Sequence, residues 1–134
     1  MENNLRVFVV DDDAIILDVL RATLAAECEL DTFASAEACL SALADVKPDL
    51  FLLDVSMPNR NGIDTLKQLK KEFPRLPVLI LSMHPEEQYA VRALKAGASG
   101  YLTKQSAPEQ LVNAIRQVAS GKKYLSPAVA QQLA

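Results

Sequence analysis

Short apolar runs alternate with amphipathic stretches five times along the chain. Leu5–Val10 is β-branched and apolar and stops at three consecutive aspartates, so it reads as a buried strand. From Ala14 to Ala26, Ile16, Leu20 and Leu24 recur every four residues, which predicts a helix with one buried face. Leu30–Phe33 is a weaker second strand. Ser35 then supplies the N-cap of a helix running to about Ala44, and Lys47-Pro48 ends the connection. Leu50–Leu53 is apolar at every position, as expected of a strand covered on both faces. Ile63, Leu66, Leu69 and Phe73 follow at helical spacing, with Pro74 and Pro77 at the exit. Val78–Leu81 is the fourth strand, Glu86–Ala96 a helix closed by Gly97, and Ser99–Leu102 the fifth strand. Ser106-Ala107-Pro108-Glu109 matches a capping box ahead of Leu111, Ile115 and Val118, and Gly121 stops that last helix.

Repeated βα alternation predicts an α/β domain, a doubly wound parallel sheet with helices on both faces. In such open sheets, ligands bind at the carboxyl ends of the strands, beside a switch in strand order. The 134 residues fit one domain, and a hydrophobic share of 50% is enough for a core.

Charge and cysteine usage narrow the function classes. A net charge of −3 argues against this chain gripping DNA by itself. Lys67, Lys70 and Lys71 read as the solvated face of a helix. Cys28 and Cys39 lack metal-type spacing and make no disulfide framework, so two half-buried thiols in a reducing cytosol are expected. The apolar runs are too short to cross a membrane, and Met1 to Arg6 leads straight into the first strand without a signal peptide. A cytoplasmic location is the corresponding expectation.

The strand ends carry the chemistry. In order they deliver Asp11-Asp12-Asp13, Ala34-Ser35, Asp54, Ser82 and Thr103-Lys104. Converging carboxylates repel one another unless a cation lies between them, and hard oxygen donors suit Mg²⁺. A lysine and a hydroxyl nearby would suit the oxygens of a bound phosphoryl group.

Val9-Val10-Asp11-Asp12, Leu52-Leu53-Asp54-Val55-Ser56-Met57-Pro58, Ser82-Met83-His84 and Gly100-Tyr101-Leu102-Thr103-Lys104 together resemble the receiver domain of two-component response regulators, over residues 5 to about 119. The resemblance implies a (βα)5 fold with sheet order 2-1-3-4-5. It makes Asp54 the phosphoacceptor, taking a phosphoryl group from a sensor histidine kinase or phosphotransfer protein. Asp11 and Asp12 would hold Mg²⁺ with Asp54 and the backbone carbonyl of Ser56. Ser82 would be the switch hydroxyl, Lys104 the cationic clamp, and Tyr101 the aromatic that turns inward when Ser82 moves. The surface of helix four, strand five and helix five, roughly residues 86–119, would then change between two states. That surface would also support a homodimer. Ser56 and His84 match positions that tune hydrolysis of the phosphoryl group; a loop residue is the plainer reading of His84. Asp13 reads as a helix cap and Tyr101 alternatively as core filler. Such a domain stores a signal; beyond self-catalysed phosphotransfer and slow autodephosphorylation it is not an enzyme.

Two features depart from the common receiver pattern. Gln105 follows Lys104 where proline is frequent, so a trans bond is expected there. The Asn59-Arg60-Asn61-Gly62 loop is unusually polar. Ser82–His84 with Ala96–Lys104 is similar to the LuxR/NarL-type branch, whose output binds DNA. Residues 1–120 would form the receiver and 121–134 a linker-like tail, with no output domain in this sequence. Two rivals remain at this stage. Asp11-Asp12-Asp13-Ala14-Ile15 nearly matches the nucleophile motif of haloacid-dehalogenase-type phosphatases, with Asp11 attacking. A degenerate receiver serving only as a docking module is the other. No G-x-G-x-x-G or P-loop follows a strand, which excludes a dinucleotide-binding domain.

Overall fold

The computed structural model describes residues 5–11, 13–24, 26, 28–54, 62–83, 86–105, 107–126 and 129–131. Strands and helices alternate strictly along the chain: β1 (Leu5–Val10), α1 (Ala14–Leu24), β2 (Cys28–Phe33), α2 (Ala36–Ala42), β3 (Leu50–Asp54), α3 (Gly62–Glu72), β4 (Val78–Ser82), α4 (Glu86–Lys95), β5 (Gly100–Thr103) and α5 (Ala107–Ala119). All strand pairs are parallel, and the sheet order is β2-β1-β3-β4-β5. Strand order therefore reverses between β1 and β3, and the crevice beyond their carboxyl ends is the expected ligand site.

Alternation along each strand divides the core in two. Phe8, Val10, Phe51, Leu53, Val78, Ile80 and Tyr101 belong to one buried cluster with residues of α3 and α4. Val7, Val9, Leu50, Leu52, Leu79, Leu81 and Leu102 belong to the other, with Leu20 and Leu24 of α1 and Leu111, Ile115 and Val118 of α5. β3 and β4 are buried at every position, which is why their sequences show no polar alternation.

Local chemistry sets the element ends. The Ser35 hydroxyl accepts the Ala38 N–H at 3.2 Å and caps α2. That helix is shorter than its sequence pattern, because Ala44 N–H turns to Ser41 O and Asp45 N–H to Ala42 O in a tightened last turn. β2 begins two residues earlier than its apolar run. Cys28 and Glu29 pair with Leu5 and Arg6, and the Arg6 guanidinium reaches Glu29 at 2.9 Å and Asp31 at 3.3 Å. Both cysteines are buried more completely than expected, Cys28 at 8% and Cys39 at 0% exposure.

Gly97 (φ 112°) ends α4 and Gly121 (φ 94°) ends α5 in the left-handed region. Each makes the paired hydrogen bonds of a Schellman turn: Gly97 N–H to Leu94 O with Ala98 N–H to Ala93 O, and Gly121 N–H to Val118 O with Lys122 N–H to Gln117 O. The second turn sends the chain back along the outer edge of β5. There Tyr124 pairs with Gly100 and donates its N–H to Ser99 O at 2.9 Å. Ser106, expected to cap α5, lies outside the described residues.

Candidate functional site

Ladder bonds between neighbouring strands carry the site's backbone one residue beyond the strand ends. Asp11 N–H donates to Phe33 O at 3.0 Å, anchoring it to β2. Lys104 N–H donates to Ser82 O at 2.8 Å, anchoring it to β4. Asp54 is the last residue of β3 and pairs with Leu81. Three residues far apart in sequence thus reach one crevice at the switch point.

Their side chains meet there. Lys104 Nζ lies 3.0 Å from Asp54 Oδ2 and 3.2 Å from Asp11 Oδ2. All three are withdrawn from solvent, with side-chain exposures of 8% for Lys104, 2% for Asp54 and 0% for Asp11. One ammonium bridges two carboxylates, so the trio as described carries an excess negative charge.

The ionisation of two groups reflects this. Burial pushes the Asp11 carboxyl from its ordinary 3.8 up to about 6; the Asp13 N–H pulls the other way, and the Asp54 charge adds to the rise. Burial by itself would lower the Lys104 ammonium, but the hydrogen bond and charge of Asp54, then those of Asp11, outweigh it and hold it above its ordinary value.

Asp11 Oδ1 accepts the Asp13 N–H at 2.9 Å. Asp11 Oδ2 is buried, and among the described residues its contact is the ion pair with Lys104 at 3.2 Å, too loosely aligned for a full hydrogen bond. A buried, underused acceptor beside a second carboxylate is the donor chemistry that a hard divalent cation satisfies. Among the described residues no three acidic, histidine or cysteine side chains cluster as a metal set. Asp12, Ser56 and His84, expected here from sequence, lie outside the described residues. The peptide bond from Lys104 to Gln105 is trans.

Ser82 is fully buried, and its register partner is Thr103. Tyr101 is 3% exposed and shares the cluster that contains Ala90, Ala93 and Leu94 of α4. Asp13 accepts the N–H groups of Ile15 at 3.0 Å and Ile16 at 3.4 Å, so it caps α1. Thr103 drew no role in the sequence, although its position beside Lys104 was already a signal. Leu125 and Val129 were also passed over; their spacing of four residues was the available hint.

The family model described as the response regulator receiver domain matches residues 7–116. The chain is a member of the response regulator receiver family. It is 37% identical over 133 residues to the response regulator GacA of Pseudomonas aeruginosa, covering 97% of this chain and 62% of that protein. It is 35% identical over 135 residues to the transcriptional regulatory protein DegU of Brevibacillus brevis, covering 98% of this chain and 57% of that protein. The chain therefore spans about three fifths of the length of these relatives. Among solved structures, a LuxR-family response regulator from Aurantimonas sp. SI85-9A1 superposes with a TM-score of 0.85 at 30% identity, over 96% of this chain and 94% of that one. The isolated receiver domain of RcsB from Salmonella enterica serovar Typhimurium, with the phosphomimetic BeF3⁻, gives 0.83 at 27% identity, over 96% and 98%. The receiver is a signalling domain of two-component systems whose relatives are transcription regulators. Membership leaves the phosphatase reading of Asp11 without support. No helix among the described residues is long and apolar enough to cross a membrane.

Proposed function

We propose that the receiver accepts a phosphoryl group on Asp54 from a sensor histidine kinase or phosphotransfer protein and passes the change to a transcriptional output. The observation that carries this reading is the buried bridge from Lys104 Nζ to Asp54 Oδ2 and Asp11 Oδ2 at the switch point.

An Asp54 oxygen attacks the phosphorus of the donor in line, and the P–N bond to the donor histidine breaks as the new P–O bond forms. The Lys104 ammonium then pairs with the phosphoryl oxygens, and the Ser82 hydroxyl donates to another of them. Asp11, Asp12, Asp54 and the Ser56 carbonyl would hold Mg²⁺, which supplies compensation for charge on the transferring group. Tyr101 follows Ser82 and shifts the surface of α4, β5 and α5. Ser56 and His84 adjust how readily water reaches the acyl phosphate. The role is that of a self-phosphorylating switch, in the cytoplasm, with DNA contacted through an output domain outside this sequence. Among the relatives, RcsB has been captured as dimers bound to DNA, which supports a dimeric output here as well.

The test is incubation with acetyl phosphate and Mg²⁺, followed by mapping of the modified residue in wild type and Asp54→Asn. Label on Asp54 that disappears in the variant supports the reading. Undiminished label in the variant moves the nucleophile elsewhere, and label on Asp11 would revive the phosphatase alternative. Absence of any label in wild type would leave a docking module.

A further inference from the structure

The segment after α5 is anchored to α5 and β5 and shares a buried cluster with residues of α4. On α5, Gln117 accepts the Lys122 N–H at 3.2 Å through its backbone oxygen and donates its side-chain amide to Lys123 O at 2.7 Å. Two turns earlier on the same face of α5, the Tyr124 hydroxyl donates to Gln110 Oε1 at 2.9 Å. On β5, Tyr124 N–H takes Ser99 O at 2.9 Å, and Tyr124 bridges to Gly100 in parallel sense. The approach is tight: a Cβ on Gly100 would meet the Tyr124 Cβ and carbonyl oxygen at 3.0 Å. Beyond Tyr124 the chain crosses to the other side of the sheet. Tyr124 packs on the α1/α5 cluster, whereas Leu125 packs against the cluster of Tyr101 and Val129 is buried within it. Ser126 starts a last helical turn, accepting the Val129 N–H on its hydroxyl and the Ala130 N–H on its carbonyl.

Val129 is only 2% exposed, in the same cluster as Tyr101, Ala90, Ala93 and Leu94. A side chain buried to that degree gives its hydrophobic contribution only while the tail is docked. The cluster it joins includes Tyr101 of β5 and Ala90, Ala93 and Leu94 of α4. Any change in Tyr101 or α4 therefore changes the free energy of docking.

We propose that the tail described by residues 122–126 and 129–131 forms a strap whose docking on β5 and α5 is thermodynamically coupled to the phosphoryl state of Asp54, with Val129 anchoring it in the buried cluster that also holds Tyr101. The inference rests on the Asp54 reading above and adds the element that reports it. Linkage makes the coupling reciprocal: if the phosphoryl group favours the docked strap, the docked strap favours the phosphoryl group by the same factor. The sign we assign is positive, on the ground that Tyr101 and Val129 are buried in one cluster and an inward Tyr101 keeps that cluster closed.

The experiment uses beryllofluoride with Mg²⁺ on the full chain. Fluorine NMR reads bound fluoride, and amide hydrogen exchange reads the Tyr124 N–H. Saturation should slow exchange at Tyr124 by roughly fivefold or more, the lower range of ordinary coupling. Val129→Asp should weaken beryllofluoride binding by a similar factor. Val129→Ala gives a smaller loss in the same direction should the aspartate variant fail to fold, and Val129→Ile retains wild-type binding. Full fluoride binding with unchanged Tyr124 exchange overturns the strap while leaving the Asp54 reading standing. Absence of bound fluoride in wild type overturns both.

Discussion

Lys104 Nζ and Asp54 Oδ2 stand 3.0 Å apart, joined across fifty positions of sequence and shielded from water by the sheet ends. Removing the ammonium leaves two buried carboxylates facing each other without compensation. Lys104→Met should cost on the order of 3–5 kcal/mol at pH 7, the usual penalty for breaking a buried ion pair. Much of the loss should return at pH 5, where Asp11 takes up a proton. Urea denaturation at the two pH values measures both effects; an equal loss at each pH would mean that the carboxylates are not the source.

Asp11 gives the wild type its own pH signature. Its carboxyl titrates near 6 in the folded chain and at 3.8 ordinarily, so between these values the native state binds more protons than the unfolded state. Stability from this group is therefore present at low pH and lost as pH rises through that window, by up to about 3 kcal/mol. Asp11→Asn should flatten the slope between pH 4 and 6. Identical slopes in the two proteins would show that Asp11 is not shifted.

Millimolar Mg²⁺ should offset the same penalty by engaging the carboxylates that repel each other. The expected result is a rise in Tm that is larger at pH 7.5 than at pH 5, where protonated Asp11 no longer attracts a cation. Asp54→Asn should reduce the rise. A metal-dependent Tm shift independent of pH and of Asp54 would place the ion elsewhere.

The cap at Asp13 offers a stability test that leaves the site's ionised side chains in place. Asp13→Ala should cost about 1 kcal/mol, and Asp13→Ser should recover most of it, because a hydroxyl also accepts the Ile15 N–H. Equal midpoints for the alanine and serine variants would remove the cap from the argument.

Cys39 is an inert thiol by construction. It has no solvent exposure, and burial pushes its pKa up to about 12. A neutral-pH disulfide reagent should modify it only as fast as the chain opens, with the rate climbing in urea. Immediate modification of Cys39 in the native protein would contradict its burial on the inward side of α2.

The parts of this fold that were legible in sequence are those whose local pattern has one physical solution. Leu50–Leu53 and Val78–Leu81 admit only doubly covered strands, and Gly97 and Gly121 sit where a helix must turn with positive φ. β2 was read two residues short because its start depends on Arg6, a residue on another strand that draws Glu29 and Asp31 into register. The meeting of Asp11, Asp54 and Lys104 was legible through the rule that strand ends converge at a switch in order and through the resemblance to receiver domains. Their distances depend on ladder bonds to Phe33 and Ser82 that no local window contains. Val129 was hidden for a related reason: Leu125 and Val129 are spaced as one helical turn, but the buried cluster they join is assembled from strands and helices distant in sequence.

Strand alternation has one more consequence. Val9, Leu52 and Leu102 lead on to Asp11, Asp54 and Lys104 along one side of the sheet, while Ile80 leads on to Ser82 along the other, beside Tyr101. The ionic trio and Tyr101 thus lie on opposite sides of a wall one backbone thick. Leu81 and Ser82, adjacent in the chain, are where the two sides touch. The shortest route between them is a single peptide unit of β4, and inserting or deleting one residue there would exchange which side each faces.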